Sequence, residues 1–356
     1  MNKLAFCFKQ ILVGLVFLLI TEVALTLFVN RTDHKSFRLG MPEPYEMASY
    51  FSEDFIVESF IQPGGWFLDK ESKVIKPRNF QGRWFNVADH RRRTVGFLGN
   101  LESARSLYLF GGSTIYNSEV PDRLTVASQL QSLIPVSANI RVINMGVTSV
   151  HAGQQYNKLI KEVVLAENDI VVFFDGVNDV QQRIVYGNED GYLVGRPVEP
   201  FYFFILRKLK DYSNIGWIFY RLMTSNTPEY SPDIIRKASS DYRKEIVSAA
   251  NYVFSKKADF YHFLQPTIFS KARHNSYEQM MFGVGDPLIP AQSRKAFEAA
   301  YPQFAKALAS LPYSKPLLHI FDGLSRSPFL DFCHVNHVGN AKIAEAIFEV
   351  ISNSHH

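Results

Sequence analysis

An unbroken apolar run, Leu107-Tyr108-Leu109-Phe110, stops at Gly111-Gly112-Ser113-Thr114. A continuous apolar stretch that breaks at glycine reads as a strand buried on both faces, and such strands belong to parallel sheets covered by helices. Further strand candidates lie at residues 141–144, 170–174, 259–264 and 316–321. Helical stretches fill the intervals over residues 149–166, 242–255 and 293–311, and one follows over 341–351. Strands alternating with helices predict an α/β fold with a parallel sheet. Right-handed crossovers bring the C-terminal ends of its strands to one edge, so loops far apart in sequence converge there.

The rest of the chain is organised around this block. With 356 residues, 47% of them hydrophobic, one large domain with an appendage is expected. Residues 1–31 read as an anchor. From residue 11 to 29 the chain is almost wholly apolar, broken only by Thr21, Glu22 and Thr26, which is enough with its flanks for a membrane-spanning helix. No small-x-small cleavage site follows, so an uncleaved, single-pass anchor is expected. Lys3 and Lys9 before the run nearly balance Arg31, Lys35 and Arg38 after it, which leaves orientation open. Residues 32–103 mix aromatics with turn residues and read as a β- and loop-rich extension packed on the main domain. Within residues 104–356, the stretch 181–241 reads as a cap insertion, with the aromatic run Phe201-Tyr202-Phe203-Phe204 as cap core. The net charge of +4 is small and dispersed and gives no nucleic-acid signature. Its one tight cluster, Arg91-Arg92-Arg93, reads as solvated surface. Cys7 and Cys333 sit in dissimilar contexts and predict no disulfide.

The strand ends carry the chemistry. Ser113 lies just past the first strand, where an α/β sheet places reactive groups, although a turn with a serine cap gives the same pattern. Gly146 follows the second strand, and its N–H could face an oxyanion. Asn178, in Asp175-Gly176-Val177-Asn178-Asp179, offers a neutral amide donor. Asp179 reads as a helix N-cap. Asp331 and His334 are three apart in a turn, a spacing that lets the carboxylate reach imidazole Nδ1 and leaves Nε2 to take a proton. Metal binding by Asp331, His334 and His337 is the rival reading, and it lacks a second cluster of ligands. His262 and His319 sit within strand patterns and read as core.

Together these stretches resemble the SGNH hydrolases, the GDSL-type esterases and lipases, over roughly residues 104–351. Phe110-Gly111-Gly112-Ser113-Thr114 is similar to the nucleophile block and Asn144-Met145-Gly146 to the second. Gly176-Val177-Asn178-Asp179 is similar to Gly-x-Asn-Asp and Asp331-Phe332-Cys333-His334 to Asp-x-x-His. Gly112 departs from the pattern, which has aspartate there; the Gly-Gly-Ser-Thr form resembles a membrane-anchored bacterial branch. The resemblance implies a three-layer α/β/α, flavodoxin-like fold with a five-stranded parallel sheet. It implies Ser113 as nucleophile, His334 as general base and acid, and Asp331 as its orienter. The oxyanion hole would comprise the N–H groups of Ser113 and Gly146 with the Asn178 side chain. No cofactor and no metal are implied. The expected activity is serine esterase chemistry on an acyl ester, acetyl among the candidates, of a cell-envelope glycan or lipid. The domain would lie outside the cytoplasm, and a membrane-bound acyltransferase is a possible partner. O-acyl transfer by the same triad, or glycan binding without catalysis, are the alternatives.

Overall fold

The computed structural model describes residues 48–60, 65–72, 74–185, 187, 230–281 and 291–353, with residues 14, 16–18, 20–24, 42–45, 213 and 215. The chain divides into two units, residues 1–37 with 192–229, and residues 38–191 with 230–356. In the first unit, residues 14, 16–18 and 20–24 are helical. Glu22 there accepts hydrogen bonds from Ser213 Oγ at 2.9 Å and the Ile215 N–H at 3.1 Å. Among the described residues no helix is long and apolar enough to cross a membrane. Much of the 11–29 run, and Phe201 to Phe204, lie outside the described residues.

In the second unit a helical turn at Pro42–Tyr45 precedes helix α1 (Glu53–Phe60), the antiparallel pair β1 (Trp66–Leu68) and β2 (Ile75–Pro77), and a three-stranded antiparallel sheet. That sheet comprises β3 (Phe80–Gln81), β4 (Asn86–Ala88) and β5 (Arg91–Arg92). The main sheet follows, with β6 (Arg105–Gly111), α2 (Ser113–Tyr116), α3 (Val126–Leu133), β7 (Ile140–Asn144) and α4 (Ala152–Glu162). Next come β8 (Ile170–Asp175), α5 (Val177–Val180), a turn of π-helix (Gln181–Val185), α6 (Pro232–Ser255) and β9 (Asp259–Leu264). The chain closes with α7 (Ser276–Met281), α8 (Ala291–Leu308), β10 (Ser314–Pro316) and α9 (His337–Asn353).

The order β10-β9-β8-β6-β7, all parallel, is the doubly wound arrangement in which the chain winds from β6 out to β7 and then back past β6 to β8, β9 and β10. Right-handed crossovers put α3 on one face and α4, α6 and α8 on the other. Accordingly α9 returns against α3, while α6 packs between α4 and α8. Every residue of β8 is buried, which is why its sequence is continuously apolar up to Asp175. The edge strand β7 is closed by a side chain: Gln131 donates to the Ile140 carbonyl at 3.0 Å and accepts from the Val142 N–H at 2.7 Å.

Three expectations change here. The last strand is Ser314–Pro316 and not 316–321; Leu317 and Phe321 are buried in turns while His319 is exposed beside Asp322. The helix expected over 242–255 begins ten residues earlier, at Pro232 with Ser231 as N-cap, so α6 takes in residues 232–241. Arg92 is buried rather than solvated, 1% exposed. Its guanidinium pairs with Asp122 at 2.8 Å, donates to the Asn117 and Val120 carbonyls, and lies over the Phe85 ring. Burial pulls its pKa down to about 10, against the pull of Asp122.

The extension is thus a structural part of the domain. Phe55 and Ile56 of α1 share a cluster with Tyr45, Tyr50, Val120 and Leu330, the last beside Asp331. Val74, with Ile75 against it, packs on Val147 and Val150 of the loop after β7.

Candidate active site

Ser113, Asn178 and the Asp331–His334 turn come from three separate loops, and the sheet order brings them together. The first two follow β6 and β8, which flank the point where the winding reverses. His334 lies with Nε2 2.6 Å from Ser113 Oγ and Nδ1 2.6 Å from Asp331 Oδ2. The other Asp331 oxygen accepts the N–H groups of Cys333 at 2.9 Å and His334 at 2.7 Å, so the carboxylate also shapes the turn that presents the ring. With Nδ1–H donated to Asp331, Nε2 is the acceptor for the serine hydroxyl. Burial pulls the His334 pKa down, but the Asp331 charge, helped by Glu119, overrides it and raises the ring well above its ordinary value. An activated serine with an oriented base is the arrangement for nucleophilic attack on a carbonyl.

No protein-family model matches the sequence, and no curated protein matches it. Solved structures do. A lipolytic protein of the G-D-S-L family from Veillonella parvula shares 14% identity over 70% of this chain and 99% of its own, at a TM-score of 0.39. An acetyl xylan esterase shares 12% over 69% of this chain and 99% of its own, at 0.40. A catalytic mutant of an acetylxylan esterase from Geobacillus stearothermophilus shares 12% over 69% and 94%, at 0.38.

The expected oxyanion donors fall out unevenly. Ser113 heads α2, where an N–H has no acceptor within the helix. The Asn178 amide lies against Gly112 and places one of its two hydrogens on the Val150 carbonyl, 2.9 Å away, which leaves the second available. Gly146 does not fit the expectation. Its N–H is donated to Asn144 Oδ1 at 2.9 Å, and that bond takes it out of the oxyanion hole. Its glycine has another reason: a Cβ there would come within 2.5 Å of the Tyr116 backbone nitrogen. Asp179 is no N-cap either. Gly176 takes that place, and the buried Asp179 carboxylate accepts the Ala152 N–H at the start of α4.

Sequence reasoning places two supporting residues, Asn144 and Gln265, at strand ends but gives them no role. Asn144 also donates to the Ile115 carbonyl at 2.8 Å, tying the loop after β7 to the nucleophile turn. Gln265, at the end of β9, donates to Thr114 Oγ1 at 2.7 Å and to the Cys333 carbonyl at 3.2 Å, bridging the neighbours of Ser113 and His334. A buried amide just past a strand is the signal that points to both.

Two clusters among the described residues have metal-ligand spacing. In Asp331-Cys333-His334, the carboxylate and imidazole already bond each other, and burial pushes the Cys333 thiol up to about 11, so it stays protonated near neutral pH. In His151-Asp179-Glu245, the Arg183 guanidinium fills the centre, 2.6 Å from Glu245 and 3.4 Å from His151 Nδ1. His337 is elsewhere, 3.4 Å from the Tyr50 hydroxyl.

Proposed function

We propose that this chain is a serine esterase of the SGNH type. The observation that carries the reading is the continuous chain Ser113 Oγ, His334, Asp331, with 2.6 Å at both links. Ser113 Oγ attacks the ester carbonyl carbon while its proton passes to His334 Nε2. Charge develops on the carbonyl oxygen, where the Ser113 N–H and the free Asn178 hydrogen meet it; each such donor contributes about 3 kcal/mol in the transition state. The imidazolium, held by Asp331, then protonates the departing alcohol, leaving an acyl-enzyme. Water attacks that ester by the reverse sequence, with His334 again as base.

For the substrate we take an acyl ester, acetyl in the simplest case, on a glycan or lipid of the cell envelope. The support is the apolar run at residues 11–29, which would tether the domain to a membrane; the extracytoplasmic side is part of the proposal, since envelope glycans lie there. Release of acetate from an acetylated envelope glycan by the full chain, with none from Ser113→Ala, is the expected result. Acetate that appears only on an added glycan acceptor would mean transfer instead. Glycan binding without turnover in wild type, unchanged in Ser113→Ala, would overturn the esterase.

A further inference from the structure

The segment that carries Asn178 grips the loop before α4 at three points. Asn178 Nδ2 donates to the Val150 carbonyl at 2.9 Å. Asp179 accepts from the Ala152 N–H, 3.3 Å from both of its oxygens. Gln182 Nε2 donates to the Ser149 carbonyl at 2.5 Å. Gln182 lies in the turn of π-helix that follows α5, a form concentrated at functional sites. The gripped loop is itself unusual: Ser149 has φ of 59°, a left-handed conformation that a non-glycine residue keeps only when its surroundings impose it. From behind, Arg183 ties the same segment to Glu245 of α6.

This arrangement has a geometric consequence. The Asn178 carboxamide is planar, so fixing one of its hydrogens on Val150 O fixes the direction of the other. Whatever sets the Val150 carbonyl therefore sets the oxyanion donor. Val150 O is also 3.9 Å from where a Cβ on Gly112 would stand, so the loop lies directly beside the nucleophile turn. The Ser149 carbonyl belongs to the preceding peptide, and Gln182 is the side chain that holds it.

We propose that Gln182 is a positioning residue: it holds the Ser149–Val150 peptide so that Asn178 presents its free N–H to the oxyanion. This rests on the esterase reading above. Gln182 touches no substrate; it acts through Asn178.

A double-mutant cycle on the full chain tests it, with p-nitrophenyl acetate as probe. Asn178→Ala should lower kcat by roughly 10²-fold. Gln182→Met keeps the length of the side chain and removes the donor; it should lower kcat by roughly tenfold with KM little changed. In the Asn178→Ala background, Gln182→Met should cost under about twofold more, because the group it orients is gone. Gln182→Asn, which retains an amide too short to reach, should behave like Gln182→Met and serves if that variant folds poorly. Equal losses in both backgrounds, or a kcat that Gln182→Met leaves unchanged, would overturn the proposal. Amide hydrogen exchange at Ala152 and Gly153 separates this from failure of the esterase reading. Faster exchange in Gln182→Met with an inactive wild type would keep the grip and discard the esterase together with the positioning role. Unchanged exchange would discard the grip itself.

Discussion

Gly112 stands where the resembling enzymes have an aspartate, and its surroundings are tight. A Cβ there would come within 2.4 Å of Asn178 Nδ2, which is pinned to Val150 on its other side. Gly112→Ala should therefore displace the oxyanion donor and lower kcat roughly tenfold or more, with a melting temperature close to wild type, as steady-state kinetics and thermal unfolding would show. The pH profile is set at the same scale. His334 must be neutral to accept the serine proton, and its pKa is raised. Activity should fall as pH drops, with the acid limb of kcat/KM centred above the ordinary value of about 6.5 for histidine. Asp331→Asn removes the charge that raises it, so the limb should move to lower pH as the whole profile sinks. Ser113, Asp331 and His334 are legible in sequence because a glycine-bounded strand end and a three-residue spacing constrain where they can go. Gly146 is not, because the partner of its N–H is a side-chain oxygen of Asn144, and nothing in the spacing reports that rotamer.

Among the elements, the extension does the most that composition hides. A run of three arginines ordinarily signals solvent, but Arg92 finds Asp122 thirty residues on, with two carbonyls of the loop that follows α2. That pairing depends on tertiary packing and leaves no local pattern. Arg92→Met leaves the Asp122 carboxylate without its counter-ion in a buried setting and should cost on the order of 3 kcal/mol in denaturant unfolding. It should also lower esterase activity, since the Asn117 and Val120 carbonyls lie just beyond the nucleophile turn. The strands of the main sheet are easier to read, because β8 is buried along its whole length and β6 buries Leu107 and Leu109 to Gly111, which leaves mostly apolar runs. The fifth misleads for the same reason: Leu317 and Phe321 bury themselves from turns, and a short apolar run cannot distinguish that from a strand.

For the molecule as a whole, alternating strands and helices make the layered fold legible, and the fold does the chemical work of assembly. Residues 221 positions apart, Ser113 and His334, meet because parallel strands deliver their loops to one edge. The central claim is that this meeting activates Ser113 as a nucleophile. Labelling by a fluorophosphonate probe, on wild type and on Ser113→Ala, tests it most directly. The account predicts covalent labelling of the wild type at Ser113, abolished in Ser113→Ala and strongly slowed in His334→Ala. A folded wild type that neither takes up the probe nor hydrolyses p-nitrophenyl acetate would contradict it.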